Sequence, residues 1–132
     1  MIHTAEIRVR YAESDQMKFA HHSNYIIWFE YARIELLRKN GFNYAEMEKS
    51  GYLLPVLEVD VHYLKPSFFD ELLQIEAKIS EIPRSSFRID YKVFNENGEL
   101  ICHAFTRHAF MNKENRAIKP PKDFLNKIKE TI

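Results

Sequence analysis

With 132 residues, 45% of them hydrophobic and 29% charged, the chain has the length for one folded domain with a real core and lacks the composition of a disordered protein. Lys+Arg and Asp+Glu both number 19, so no net field recruits nucleic acid or an anionic membrane surface. The one cysteine, Cys102, excludes an intrachain disulfide framework and a cysteine-based metal motif.

The opening residues Met1 to Glu6 hold no apolar run of signal-peptide length. No segment approaches the ~20 apolar residues needed to cross a bilayer. The expectation is a single domain over residues 1–132 in the reducing cytoplasm.

Residues 5–11 alternate, with Ile7, Val9 and Tyr11 on one face and Glu6, Arg8 and Arg10 on the other, which predicts a half-buried strand. Residues 12–21 form a polar loop without a sustained period. Ser23 or Asn24 is a plausible N-cap for a long helix running to about Asn40, with Gly41 as its stop. Its apolar residues, among them Tyr25, Ile26, Ile27, Trp28, Phe29, Ala32, Leu36 and Leu37, are too many for a single stripe. A helix wrapped by a sheet is expected.

Residues 42–51 read as a short helical turn and loop. Three further alternating segments follow: residues 57–63 after Pro55, residues 72–80, and residues 86–94. Their inward sets are Leu57, Val59, Val61 and Tyr63, then Leu73, Ile75, Ala77 and Ile79, then Phe87, Ile89, Tyr91 and Val93. Asn97-Gly98 marks a tight hairpin into a last strand near 99–111, with Cys102 and His108 on one face and His103 and Arg107 on the other. Residues 112–119 read as a mobile connector. Pro120-Pro121 introduces a short C-terminal helix edged by Phe124, Leu125 and Ile128. The order is that of an α+β fold: about five antiparallel strands linked by short turns, one long helix and a short terminal one.

Chemistry gathers where the acidic loop meets the long helix. Asp15, flanked by Met17 and Phe19, is expected to be partly desolvated. The peptide N–H groups of His22 and Ser23 fall among the unpaired donors of a first helical turn, where the helix dipole also favours a developing oxyanion. A carboxylate there can attack an acyl carbon or position water against it. Thioesters suit so small a site, because a thiol of pKa ~8.5 departs with little proton donation.

The run Tyr11-x-x-Ser14-Asp15, then His22-x-Asn24-Tyr25 and Trp28-Phe29-Glu30-x-Ala32-Arg33, resembles the 4-hydroxybenzoyl-CoA thioesterase-like family of hot-dog-fold acyl-CoA thioesterases. Leu54-Pro55-Val56 and Val61-x-Tyr63-x-Lys65-Pro66 extend the likeness over most of the chain. The resemblance implies a hot-dog fold, a curved antiparallel sheet around a central helix, and edge-to-edge homodimers or tetramers with active sites at the interface.

It further implies hydrolysis of an acyl-CoA to free acid and coenzyme A with no cofactor beyond the coenzyme A of the substrate. Asp15 falls on the catalytic aspartate, His22 on the residue whose N–H serves the oxyanion, and Tyr25 on an aromatic near the thioester. Lys18 stands where the family usually has glycine. It is expected either to avoid positive φ by reshaping the loop or, with Met17, to reach toward the ligand.

Competing readings attach to other residues. Glu30 sits where another hot-dog branch carries its helix acid, but an i,i+3 pair with Arg33 explains it more simply. Glu58, Asp60 and His62 alternate on one strand face, which is ordinarily a solvated face and not a metal site. Arg84, Arg88, Lys113, Arg116 and Lys119 are candidates for the phosphates of coenzyme A. A hydroxyacyl-thioester dehydratase and a non-catalytic acyl-CoA-binding module are the rival functions.

Overall fold

In a computed structural model, all 132 residues, Met1–Ile132, are described. The chain forms β1 (Ile2–Arg8), a 3-10 turn (Tyr11–Glu13), α1 (Asn24–Lys39), α2 (Tyr44–Lys49), β2 (Val56–Tyr63), β3 (Leu72–Lys78), β4 (Phe87–Phe94), β5 (Leu100–His108) and α3 (Lys122–Thr131). All five strands join one antiparallel sheet in the order β1-β3-β4-β5-β2.

Alternation decides which face is buried. Leu73, Ile75, Ala77, Phe87, Ile89, Tyr91 and Val93 are buried on β3 and β4, as the period of two requires. α1 lies over this face and packs on β1 and β3, adding Tyr25, Trp28, Phe29, Ala32, Leu36 and Leu37 to the core. Phe124 and Ile128 of α3 close its far end against Phe42, Phe87 and Phe110. The long helix, the five antiparallel strands and the short terminal helix are those of the expected hot-dog arrangement.

Four expectations are corrected. The first strand is shifted toward the N-terminus and ends at Arg8. Tyr11 is 75% exposed in the 3-10 turn, because the Glu13 carboxylate caps the Arg10 N–H and turns the chain. The strands are not a simple meander: β2 pairs with β5 at one edge, and residues 64–71 carry the chain across to set β3 between β1 and β4. The sheet covers the long helix as expected, but not every apolar residue counted for that contact is buried. Ile26, Ile27 and Tyr31 are exposed on a second stripe that this chain's own sheet leaves open. Residues 112–119 are a structured turn, in which Asn112 accepts from the Glu114 and Arg116 N–H groups and Ile118 returns to bond Phe110.

Candidate active site

Residues 13–24 form a loop with a clamped neck. The Glu13 carbonyl accepts from the His21 N–H and from the Asn24 side-chain amide, both at 2.8 Å. Ser14 and Ala20 then bridge in antiparallel fashion, and the Asp15 N–H donates to the Phe19 carbonyl at 2.8 Å. Inside the loop, Asp15 Oδ1 accepts from the Met17 N–H at 2.8 Å and the Phe19 N–H at 3.2 Å. The turn closes through Lys18, whose φ is 67°. Lys18 therefore keeps the left-handed conformation a glycine would adopt there, and the loop is not reshaped around it.

Two backbone donors anchor one carboxylate oxygen of Asp15 and leave Oδ2 without a partner in the chain. The aspartate itself is exposed, contrary to the expected desolvation, because Met17 is 69% exposed and does not cover it.

On the other arm of the loop, α1 starts without a side-chain cap. Ser23 is already helical, and its hydroxyl pairs with His21 Nδ1 at 2.8 Å instead of bonding a free N–H of the helix. Asn24 is spent on the Glu13 and His21 carbonyls. The His22 N–H makes no hydrogen bond within the chain, while the His22 carbonyl accepts from the Tyr25 N–H and from the Tyr63 hydroxyl, the latter at 2.9 Å.

Asp15, His22 and Tyr25 line one cleft of about 350 Å³ with Phe19, Tyr63 and Pro66. Tyr25 is 2% exposed and hydrogen-bonds the buried Ser67 hydroxyl at 2.7 Å, and burial raises its phenol above the ordinary range. It therefore stays neutral and rigid, packed 5.0 Å from the Tyr63 ring at a near-perpendicular angle. Met17 and Lys18 are exposed at the loop tip and do not line this cleft.

Three residues that the sequence did not single out complete the surroundings. Tyr63 and Ser67 hold His22 and Tyr25 from the far side of the cleft. Glu13, 4% exposed, accepts from Trp28 Nε1 at 2.7 Å and the Arg10 N–H at 2.8 Å. Tyr63 read as an inward strand residue and as one position of the family likeness, with no role at the site attached, and Ser67 carried no signal. Glu13 was hidden as one of several acidic loop residues, and only the 15-residue contact to Trp28 separates it from them.

The competing carboxylates fall elsewhere. Glu30 is 3.8 Å from Arg33 and largely exposed, as an i,i+3 pair. His62 pairs with Asp60 at 2.7 Å and stacks on His103 across the β2–β5 ladder, on the solvated face. Of the basic candidates, Arg84 and Lys119 line a common cavity of about 500 Å³, whereas Arg88 is engaged with Asp90 at 2.8 Å and lies over the Phe105 ring.

The sequence profile of the Thioesterase-like superfamily matches residues 9–128. The chain is 38% identical to the "Putative acyl-CoA thioesterase YneP" of Bacillus subtilis (strain 168), over 83% of this chain and 79% of that protein. Among solved structures it is similar to the DHNA-CoA thioesterase of Staphylococcus aureus, at 32% identity and a TM-score of 0.93, covering 98% of this chain and 90% of that one. A protein of Aquifex aeolicus matches at 32% identity and a TM-score of 0.90, over 96% and 98% of the two chains. A fold, a cleft and a loop of this kind, with a profile match over nearly the whole chain, place it: the chain belongs to the thioesterase-like superfamily and has the hot-dog fold.

Proposed function

We propose that this thioester hydrolase cleaves an acyl-CoA to free acid and coenzyme A, with Asp15 as nucleophile and the His22 N–H as oxyanion donor. The observation that carries the reading is the cleft itself. It brings an aspartate with one anchored and one free oxygen together with an unpartnered N–H at the start of α1. A carboxylate is a poor base for water but a competent nucleophile toward an activated acyl group.

Asp15 Oδ2 bonds to the acyl carbon, and the resulting oxyanion is held by the His22 N–H. The C–S bond then breaks, and coenzyme A leaves as a thiolate that takes its proton from solvent. Water opens the acyl–aspartyl anhydride, which returns the carboxylate and releases the acid. Tyr25 walls the thioester, and Met17 and Lys18 meet the pantetheine arm as it leaves the cleft. Arg84 and Lys119 are the pair suited to the phosphates. No cofactor beyond the coenzyme A of the substrate takes part. The acyl group is aliphatic or aryl, as the acyl-CoA and DHNA-CoA names of the relatives suggest.

The working form is a homodimer paired along β2. That edge strand carries Val56, Leu57, Val59 and Tyr63 at 41–58% exposure, Tyr63 lines the Asp15 cleft, and a second subunit on the strand would cover that exposed cleft. No helix is long and apolar enough to cross a membrane, and the reading assigns the enzyme to the cytoplasm.

Thiol release across a panel of acyl-CoA chain lengths and aryl-CoAs identifies the substrate. With the best of these, Asp15→Asn lowers kcat by about 100-fold or more while the far-UV spectrum stays that of the folded protein. Single-turnover hydrolysis in 18O-labelled water puts label into Asp15. Label found only in the product acid would replace covalent attack by water positioned on the carboxylate, and undiminished turnover of Asp15→Asn would remove Asp15 from the reaction.

A further inference from the structure

Glu13 is buried, lies outside the reacting cleft, and is more densely bonded than any other carboxylate of the chain. One oxygen takes the Arg10 N–H at 2.8 Å; the other takes Trp28 Nε1 at 2.7 Å and the Arg10 guanidinium at 3.4 Å. Its own carbonyl takes the His21 N–H and the Asn24 amide. Burial alone would raise its carboxyl, but the Arg10 N–H, the Trp28 indole and the Arg10 guanidinium together bring it below the ordinary range. A carboxylate that stays charged at 4% exposure has its desolvation cost offset by these bonds, and removing one of them leaves the charge under-compensated.

The connectivity gives this cluster its meaning. The Glu13–His21 bond is the neck of the loop: Asp15 lies two residues from Glu13 on the loop side of it, and His22 one residue from His21 on the helix side. The spacing between the carboxylate and the oxyanion donor is therefore set at the neck. The loop tip is exposed at Met17, and its stem meets the body at Phe19, which bridges Phe68, and at the Ala20 N–H, which bonds Ser67. The neck itself is held to α1 at two points: the Asn24 side chain on the Glu13 carbonyl at the first residue of the helix, and the Glu13 carboxylate on Trp28, one turn past Tyr25. Only the second engages the core-buried part of the helix. Trp28 is 2% exposed and packed at 4.7 Å against Tyr25, so its indole is a fixed point.

We propose that Glu13 is a positioning residue for the thioesterase reaction, acting with Trp28 to hold Asp15 in register with the His22 N–H. The inference rests on the assignment of Asp15 and His22 made above. Glu13 touches neither substrate nor the reacting atoms; it fixes an attack distance. A misplacement of about 1 Å at a reacting pair costs about 100-fold in rate. The loss falls chiefly on kcat, because Tyr25, Tyr63 and Pro66, which lie outside the loop, still wall the cleft.

The test uses the purified full chain with the best acyl-CoA from the panel. Glu13→Gln keeps the shape but presents an amide N–H where only donors surround it. Trp28→Phe removes the indole donor and leaves an aromatic ring. Each lowers kcat by about 10- to 100-fold with KM within about twofold, and the double variant loses no more than the worse single one, because both break the same tie. On an Asp15→Asn background, Glu13→Gln lowers the residual turnover no further, an epistasis that a merely structural residue would not show.

Folded Glu13→Gln and Trp28→Phe proteins with kcat within twofold of the parent overturn the proposal, as does a loss that persists in full on top of Asp15→Asn. If Glu13→Gln does not fold, Trp28→Phe decides alone. Collapse of Asp15→Asn with intact Glu13 and Trp28 variants refutes only this inference. Full turnover by Asp15→Asn refutes the catalytic assignment and the positioning role with it.

Discussion

Lys18 pays a conformational penalty inside the reactive loop. Its φ of 67° puts an L-residue in the left-handed region, at a cost of about 1–2 kcal/mol, part of which a glycine would return as unfolded-chain entropy. Lys18→Gly therefore raises stability by up to about 1 kcal/mol. It leaves kcat unchanged and raises KM for acyl-CoA if the ammonium meets the pantetheine arm. Lys18→Val, a β-branched residue forced to positive φ, loses at least ~1 kcal/mol. Urea unfolding beside steady-state kinetics separates these effects. The sequence exposed the unusual residue but not its solution, because whether a loop bends around a side chain or strains it depends on the bonds that close the loop. Here Asp15 Oδ1 and the Phe19 carbonyl hold the turn, and Lys18 yields.

His108 poses the opposite case, a residue legible only as sharing a strand face with Cys102. It is fully buried, with Nε2 on the Thr106 hydroxyl at 2.7 Å and Nδ1 unpaired. Burial, helped by the nearby Arg33 charge, lowers its pKa from 6.5 to about 4. A folded pKa below the unfolded one means that the unfolded chain takes the proton first as pH falls. The associated stability is complete above pH 6.5 and is lost progressively between 6.5 and 4, by at most about 3 kcal/mol. Urea unfolding at steps from pH 7 to pH 4 shows this decline, and His108→Leu flattens it. Buried Cys102, whose thiol burial pushes up to about 12, does not titrate in this range.

At the scale of elements, periodicity was a good guide wherever one partner decided burial. β3 and β4 alternate as read because α1 covers one face and solvent the other, and α1 spans Asn24–Lys39 within a residue of its sequence bounds. The pattern misled where two partners compete for one element. β1 alternates through Tyr11, but the Glu13 cap draws the chain out of the ladder after Arg8. The surplus apolar residues of α1 suggested a helix surrounded by its own sheet. The sheet does cover the helix, on β1 and β3, but the surplus falls on a second stripe, with Ile26, Ile27 and Tyr31, that is left open. Hydrophobic content reports how much surface must be covered and is silent on which chain covers it. In the same way Asp15 and His22 were visible as chemistry at a loop and a helix start, while the roles of Glu13, Tyr63 and Ser67 in holding the site became visible only through contacts 15 to 42 residues distant in sequence.

The whole molecule turns on the one connection that alternation could not order. Residues 64–71 leave β2 at the sheet edge, cross to the opposite side and deliver β3 beside β1, so β2 has β5 on one side and no strand on the other. Its inward residues Val59 and Tyr63 register with buried Thr106 and Cys102, yet they are 41% and 46% exposed because α1 is seated on β1 and β3. A long edge strand that is apolar on its core face is an unstable surface for a monomer. The Asp15 cleft opens at the Tyr63 end of that same strand. Burying this edge against a second copy would therefore also desolvate Asp15 and sharpen the oxyanion site. Val59→Lys, which sets a charge on the strand's core face without touching the cleft, tests whether assembly and activity are one property. Light scattering after size exclusion is expected to show the parent as a dimer and the variant as a folded monomer at micromolar concentration, with turnover falling in proportion to the dimer lost and recovering at high protein concentration. A monomeric variant with the parent's turnover would separate the two and leave the cleft complete in a single chain.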